Sequence, residues 1–173
     1  MNPCIFSWSS PAVALGMVLC AGAFAPSSAQ AFLEPPAPAG GAWAVSWRRL
    51  PAIPDARGFA GSFAGASGNA LLVAGGANFP RGMPWQGGEK VWYDQVFVLE
   101  SPHGDWKQAG KLTRASGYGA SVDTEQGVAC LGGGDAKECH RECFLLRWEK
   151  GELLERPLPA LPAPRANACA VKS

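Results

Sequence analysis

Leu50-Pro51-Ala52-Ile53-Pro54-Asp55-Ala56-Arg57 recurs later in the chain as Leu158-Pro159-Ala160-Leu161-Pro162-Ala163-Pro164-Arg165. A weaker copy, Lys111-Leu112-Thr113-Arg114-Ala115-Ser116-Gly117, lies about midway between the two, so the arginines recur at nearly regular spacing. The segments Leu72-Val73-Ala74-Gly75-Gly76 and Cys130-Leu131-Gly132-Gly133 agree with this repeat, because Gly75 and Gly132 are as far apart as Arg57 and Arg114. A period of about fifty residues fits four strands and their turns, which together make one blade of a β-propeller.

Hydrophobic runs and turn residues divide each period into four strands. The first period predicts strands at Arg57–Ala66, Ala70–Gly75, Val91–Leu99 and Asp105–Leu112. The second predicts strands at Tyr118–Asp123, Gly127–Gly132, Cys143–Trp148 and Gly151–Pro157. Trp43–Trp47 is interpreted as the outer strand of a preceding blade, and Arg165–Val171 as the start of a third inner strand.

The predicted fold class is therefore all-β, a β-propeller of which about two and a half blades are present. Propellers typically close with four to eight blades, and an inner strand that stops near Ser173 leaves an open edge. Two hypotheses account for this. Either the chain is a fragment of a longer propeller, or further copies supply the missing blades of one ring.

Composition excludes several classes of protein. The chain has 15 Lys and Arg against 14 Asp and Glu, so its charge balance gives no reason to expect nucleic acid or a polybasic membrane contact. The 22 Gly and 15 Pro are too many for a long-helix or coiled-coil protein. A hydrophobic content of 47% excludes a disordered chain.

The N-terminus carries the pattern of an export signal. Residues 1–31 contain no charged side chain, and the apolar run Ala12–Ala25 is followed by Ala29-Gln30-Ala31, an A-x-A cleavage site. The run is too short for an ordinary transmembrane helix. We therefore expect a signal peptide at 1–31, a Pro/Ala/Gly linker at 32–42 and a partial propeller at 43–173, in the periplasm or secreted and without a membrane contact after cleavage.

The cysteine spacing does not decide between disulfides and free thiols, but it argues against a bound metal. After cleavage the chain keeps four cysteines, which allow three pairings that sequence alone does not distinguish (Cys130, Cys139, Cys143 and Cys169). The cluster Cys139-His140-Arg141-Glu142-Cys143 has no obvious fourth ligand for structural zinc. We expect no metal and no cofactor, a disulfide or plain thiols in the loop, and buried thiols at Cys130 and Cys169.

Successive strands of a blade alternate in direction. The loops between strands 2 and 3 therefore lie at the same end of the blade as the connections from strand 4 to the next strand 1. The candidate binding residues are predicted to lie on this one rim of the propeller. Arg57, Arg114 and Arg165 are predicted to be equivalent there. Their guanidinium groups would either pair with a ligand carboxylate or tie each blade to a neighbouring loop. The same rim holds Asn78, Arg81 and Trp85 as candidate substrate-binding residues, and Tyr118, at the start of the second inner strand, is a further candidate.

Each of the other rim candidates has a structural alternative. Asn78 either bonds a sugar hydroxyl or adopts a left-handed turn. Trp85 either stacks on a sugar face or seals the blade. Glu89 and Lys90 are an adjacent pair capable of acid and base catalysis, or they are solvated loop charges.

The motifs resemble a known family. The paired glycines Gly75 and Gly76, the aromatic strand after them and the later Trp106 resemble a kelch repeat. More specifically, four segments resemble the cyclically permuted mutarotase family, which is related to the bacterial N-acetylneuraminate epimerases: Gly58-Phe59-Ala60-Gly61, Ala74-Gly75-Gly76-Ala77-Asn78-Phe79-Pro80, Met83-Pro84-Trp85 with Gly87-Gly88-Glu89-Lys90-Val91-Trp92, and Tyr118-Gly119-Ala120-Ser121. The resemblance covers about residues 43–171.

This resemblance implies a six-bladed kelch propeller, with at least three blades outside this chain. It also implies mutarotation of sialic acid, a small carboxylated sugar, at the ring carbon that bears the carboxylate. The carboxylate and arginine groups proposed as catalytic in that family fall outside the matched stretch. Two other functions stay open: a non-catalytic kelch module that binds glycan or protein on the same rim, and an inactive truncated remnant.

Overall fold

Ten β-strands and one short 3-10 helix make up the computed structural model, which describes residues 45–172. The strands in chain order are β1 (Phe63–Ser67), β2 (Ala70–Ala74), β3 (Ala77–Asn78), β4 (Val91–Trp92), β5 (Gln95–Leu99), β6 (Lys107–Lys111), β7 (Ala120–Thr124), β8 (Gly127–Leu131), β9 (Cys143–Glu149) and β10 (Glu152–Leu158). The 3-10 helix, η1, spans Pro84–Gln86. Leu50 onward belongs to one unit, whereas residues 45–49 belong to a second.

The strands form two four-stranded antiparallel sheets, which correspond to the two predicted blades. The first sheet has the order β1-β2-β5-β6, and the second has the order β10-β9-β8-β7. A separate two-stranded ladder pairs β3 with β4 above the first blade. Within the described residues, no helix is long and apolar enough to cross a membrane. The prediction of an all-β fold is confirmed.

The core lies between the two blades. Phe63, Leu72, Val98, Val128 and Leu146 are almost fully buried in one cluster, and the Phe63 and Phe144 rings meet edge-to-face with centroids 5.4 Å apart. Burial of this kind contributes roughly 1.5–3 kcal/mol for each large apolar side chain. The blades are held face to face mainly by this hydrophobic contact.

Side chains of β7 also form hydrogen bonds with backbone groups on the unpaired edge of β1. Ser121 Oγ accepts from Ala64 N at 3.2 Å and donates to Ala64 O at 2.8 Å. Asp123 Oδ1 accepts from Ala66 N at 2.9 Å. Gly65 lies between these contacts, and a Cβ there would be 2.2 Å from Asp123 Oδ1. The glycine is thus required for the close approach of the blades, and the inner edge of the first blade is covered.

Backbone hydrogen bonds define which residues are equivalent in successive repeats. Tyr118 N donates to Gly61 O and Asn167 N donates to Tyr118 O, both at 2.6 Å. All three residues have left-handed φ values, of 65°, 61° and 54°. The repeat therefore steps from Gly61 to Tyr118 and then, over a shorter stretch of chain, from Tyr118 to Asn167.

This register corrects one equivalence inferred from the sequence. Gly76 N donates to Ser116 O in the first blade, and Gly133 N donates to Arg165 O in the second. Arg165 is thus equivalent to Ser116, and only Arg57 and Arg114 are true equivalents. The sequence comparison was wrong here because it matched arginine with arginine across connections of unequal length.

Several predicted strands have different bounds. The strand expected at Val91–Leu99 is divided, since β4 pairs with β3 and β5 pairs with β2. The inner strand expected from Arg57 begins only at Phe63, after an isolated bridge at Ala60. Residues 165–171 form no strand, and neither do residues 45–47. No described strand pairs with either segment, and unpaired extended chain gains no ladder hydrogen bonds. Residues 1–44, with the predicted signal peptide and linker, lie outside the described residues.

Candidate functional site

A cavity of about 410 Å³ opens on the predicted rim of the first blade. We call it the rim cavity. Its polar lining comes from Arg57, before β1, from Asn78 in β3, from Lys90, before β4, and from Tyr118 at the start of the second blade. Its apolar lining includes Phe79 and Met83. The fold therefore brings together four of the residues that sequence reasoning proposed.

Asn78 is buried, and both ends of its amide are occupied. Its Oδ1 accepts a hydrogen bond from the Tyr93 hydroxyl at 2.8 Å, and its Nδ2 donates to Gly58 O at 2.8 Å. Nδ2 also lies 3.4 Å from Asp55 Oδ1. Asn78 thus fastens the loop that carries Arg57 to the top of the blade. It lies in extended β3, so the left-handed turn, one of the two alternatives for this residue, is wrong.

Arg57 lines the cavity, and its guanidinium group has no acidic partner among the described residues. Its side chain is exposed and forms no ion pair with any described residue. The nearest acid on this loop is Asp55, whose Oδ1 accepts from Arg57 N at 2.8 Å and is turned to the backbone. An unpaired guanidinium is a ready partner for a planar carboxylate.

Lys90 is the second cation of the rim cavity, and aromatic rings hold it. Its Nζ lies 4.1 Å from the centroid of the Tyr118 ring and 5.0 Å from that of the Trp92 ring. It forms no ion pair with a described residue. Ring faces attract an ammonium group but do not cancel its charge. The cavity therefore has two positive groups that are not neutralised by salt bridges.

At the equivalent position of the second blade, the arginine is Arg114, and it forms ion pairs with acidic side chains. Arg114 Nη2 lies 2.7 Å from Glu138 Oε1, and its Nε lies 3.4 Å from Asp135 Oδ2. Asp135 occupies the same place after the paired glycines of its blade as Asn78 does in the first. The charge of Arg114 is thus neutralised within its own blade, and not by the loop of a neighbouring blade that the structural alternative proposed.

Asp135 is held as a carboxylate. Partial burial raises its pKa, but N–H groups of Lys137 and Glu138, at 2.7 and 3.1 Å, and the nearby His140 lower that pKa more, to about 2. His140 Nε2 lies 3.3 Å from Asp135 Oδ2, and His140 Nδ1 lies 3.1 Å from Ser116 Oγ. This cluster of buried Ser116 and His140 with half-buried Asp135 replaces Phe59, Tyr93 and Asn78 of the first blade.

The remaining predicted site residues lie outside the rim cavity. Arg81 Nη2 and Glu89 Oε2 are 3.5 Å apart, and both side chains are at least 80% exposed. Trp85, in η1, is 79% exposed, so the predicted sealing role is not seen in the described residues. Arg165 donates from Nη1 to Pro164 O, beside its own backbone.

Sequence reasoning missed three residues that line cavities near these sites. Phe79 and Met83 line the rim cavity, and Ser116 lines a second cavity of about 430 Å³ beside Arg114, together with His140 of the Cys139–Cys143 cluster. The repeat offers a signal for Ser116, which follows Arg114 as Phe59 follows Arg57.

The thiols differ in part from expectation. Cys130 is buried as predicted, and burial raises its pKa well above the ordinary value. Cys169 is exposed, so its predicted burial is wrong, because residues 165–171 form no strand that could cover it. Cys130, Cys143 and Cys169 are free thiols, so these three form no disulfide with one another.

The two four-stranded antiparallel blades, with a paired-glycine turn after the second strand of each, define part of a kelch-type β-propeller. The solved structure of YjhT supports this class, with a TM-score of 0.58 and 24% identity over 64% of this chain and 34% of that chain. The family model described as N-acetylneuraminate epimerase matches residues 39–154. The chain belongs to the N-acetylneuraminate epimerase family.

Individual relatives agree with this assignment. The N-acetylneuraminate epimerase of Brucella suis is 36% identical over 61% of this chain and 31% of its own length. That of Yersinia pestis is 39% identical over 56% of this chain and 26% of its own length. The chain thus spans about a third or less of the curated relatives it matches.

Proposed function

We propose that this chain supplies the carboxylate-binding part of a mutarotase that acts on sialic acid anomers. The observation that supports the proposal is the pair of unneutralised cations, Arg57 and Lys90, in one cavity that is otherwise largely apolar. Convergent charged groups in an apolar cavity are typical of small-molecule sites. The relatives named N-acetylneuraminate epimerase supply the substrate class, a sugar that carries a carboxylate.

Charge patterning within the repeat favours this cavity over its equivalent in the second blade. Asn78 is neutral, and Arg57 stays unpaired. Asp135 at the same position is a carboxylate and pairs with Arg114. A ligand carboxylate at Arg114 would have to displace Asp135 and Glu138. A ligand carboxylate at Arg57 displaces no acidic side chain, so its binding there costs less free energy.

The mechanism divides between binding and proton transfer. Interconversion of the anomers opens and closes the sugar ring, which requires general acid and base groups at the hemiketal oxygens. Arg57 would hold the carboxylate through two parallel hydrogen bonds, and Lys90 would add a second positive charge beside it. Glu89 is paired with Arg81 away from the cavity lining, so we propose that the acid and base groups come from blades beyond those described, in a longer chain or a second copy.

A second candidate function is a kelch module that binds a carboxylated glycan without catalysis. The observation that favours it is the cavity lining itself, in which the described residues include no carboxylate and no histidine. This candidate keeps the same ligand contacts and differs only in turnover.

Exchange NMR separates the two functions. Magnetisation transfer between the α and β anomers of N-acetylneuraminate measures the rate of interconversion, and line broadening of the sugar signals reports binding. In a closed ring, whose acid and base groups come from a longer chain or a second copy, a mutarotase accelerates exchange above the buffer rate. A binding module broadens the signals without acceleration. Arg57→Gln should abolish both effects, and the matched control Arg165→Gln, outside the cavity, should abolish neither. An unchanged sugar spectrum with the wild-type chain would overturn both candidates.

We also propose that the chain is exported. The uncharged segment 1–31 and the A-x-A site Ala29-Gln30-Ala31 support this. N-terminal sequencing of the secreted product should begin at Phe32. A cytoplasmic product that retains Met1 would refute it.

A further inference from the structure

Tyr118 has a backbone conformation that its side chain disfavours. Its φ is 61°, in the left-handed region, and the equivalent residues of the other repeats are Gly61 and Asn167. Glycine and asparagine adopt this region readily, whereas a bulky aromatic residue there is strained. The hydrogen bonds Tyr118 N to Gly61 O and Asn167 N to Tyr118 O hold the chain in this shape. The repeat therefore requires a left-handed residue, and tyrosine is a costly choice for it.

Two contacts of the Tyr118 ring show what the side chain contributes. The ring packs against Gly61, where an added Cβ would lie 2.6 Å from Tyr118 Cδ1. Its face also lies under Lys90 Nζ, which is 4.1 Å from the ring centroid. Trp92 provides a second ring for the same ammonium group at 5.0 Å. Strain of this kind persists where surrounding structure enforces it, and it is concentrated at functional sites.

Aromatic partners fix Lys90 in a different way from acidic ones. A carboxylate would orient the ammonium group but would also neutralise it, as Glu138 and Asp135 do for Arg114. The ring quadrupole attracts the cation and leaves its full charge for a third group. Lys90 lines the rim cavity together with Arg57 and Tyr118, so that third group would be an anion in the cavity.

We infer that Tyr118 is a positioning residue, which holds the ammonium group of Lys90 at the rim cavity as the second contact for the carboxylate of the ligand. This inference rests on the proposed function for the identity of the ligand. The position of Lys90 does not depend on that identity. The left-handed backbone at position 118 favours glycine or asparagine, and the tyrosine found there contributes a ring that positions Lys90 for the ligand.

The test compares Tyr118→Asn with Tyr118→Phe. Asparagine is native at the equivalent Asn167 and keeps the left-handed backbone but removes the ring. Phenylalanine keeps the ring. By calorimetric titration with N-acetylneuraminate, Tyr118→Asn should bind about three- to thirtyfold more weakly, and Tyr118→Phe should bind within about twofold of the wild type. The melting temperature of Tyr118→Asn should not fall in parallel, because the substitution relieves backbone strain.

A second measurement needs no ligand. Acetic anhydride labelling followed by mass spectrometry reports the accessibility of Lys90, with the exposed Lys137 as the internal reference. Lys90 should be labelled several times faster in Tyr118→Asn than in the wild type or Tyr118→Phe. Equal labelling in all three proteins overturns the positioning role, as does equal affinity of Tyr118→Asn and wild type. If the wild type does not bind the sugar, the proposed function fails, and the labelling comparison still decides the role of Tyr118.

Discussion

Asp135→Asn tests whether the charged cluster around Asp135 stabilises the second blade. The carboxylate accepts hydrogen bonds from N–H groups of Lys137 and Glu138 and lies 3.3 Å from His140 Nε2 and 3.4 Å from Arg114 Nε. A carboxyl group whose pKa falls from 3.8 to about 2 on folding contributes about 2 kcal/mol. The side chain is 21% exposed, and solvent screening lowers the expected loss in the variant to about 1–2 kcal/mol.

The direction of the pKa shift of Asp135 determines how its contribution to stability changes with pH. Because the folded pKa of Asp135 lies below the unfolded one, its contribution is complete at neutral pH and is lost as pH falls through 3.8 toward 2. Urea unfolding of wild type and Asp135→Asn should therefore differ at pH 7, begin to converge below about pH 4 and meet only near pH 2. Asp105→Asn, at an exposed position, is the matched control and should follow the wild type. A constant difference at every pH, or none at pH 7, would refute this reasoning.

Three further outcomes are expected. Gly65→Ala should destabilise the contact between blades by about 1–3 kcal/mol in urea unfolding, because its Cβ would meet Asp123 Oδ1 at 2.2 Å, and equal stability would contradict the close approach. Phe63→Ala should cost about 3–5 kcal/mol in the same assay, since the side chain is only 1% exposed, and a loss below about 1 kcal/mol would remove it from the core. Thiol labelling of the native protein should modify Cys169 rapidly and Cys130 only on unfolding, and rapid reaction of Cys130 would contradict its burial.

Periodicity predicted the blades well because each strand has a local signature. The apolar β2 and the largely apolar β9 both lie close to their predicted bounds. The division of Val91–Leu99 was not predictable in this way. β4 and β5 are both rich in β-branched and aromatic residues, and only the partner strands β3 and β2 distinguish them.

The candidate site was predictable in position but not in charge state. The alternating strand direction placed Arg57, Asn78 and Lys90 on one rim, and they line one cavity together with the candidate Tyr118. Whether an arginine is free or paired depends on side chains distant in the chain, as Asp135 and Glu138 are from Arg114, and no local pattern reveals such a pairing.

Contacts between repeats were equally hidden from the sequence. The left-handed backbone of Tyr118 is set by hydrogen bonds to Gly61 and Asn167 in other repeats. Aligning the repeats by residue type also misplaced Arg165, whose equivalent is Ser116, because both residues offer a backbone carbonyl to the second paired glycine and their side chains play no part in it.

The central claim is that the rim cavity binds a carboxylated sugar through the unpaired guanidinium of Arg57. The most direct measurement is calorimetric titration of the wild type, Arg57→Gln and Arg165→Gln with N-acetylneuraminate and with its uncharged methyl ester. A charge-assisted contact is worth about 1.5–3 kcal/mol, so the wild type and Arg165→Gln should bind the acid roughly ten- to a hundredfold more tightly than the ester. Arg57→Gln should lose most of that preference. Equal affinity of the wild type for acid and ester, or an unchanged preference in Arg57→Gln, would contradict the claim.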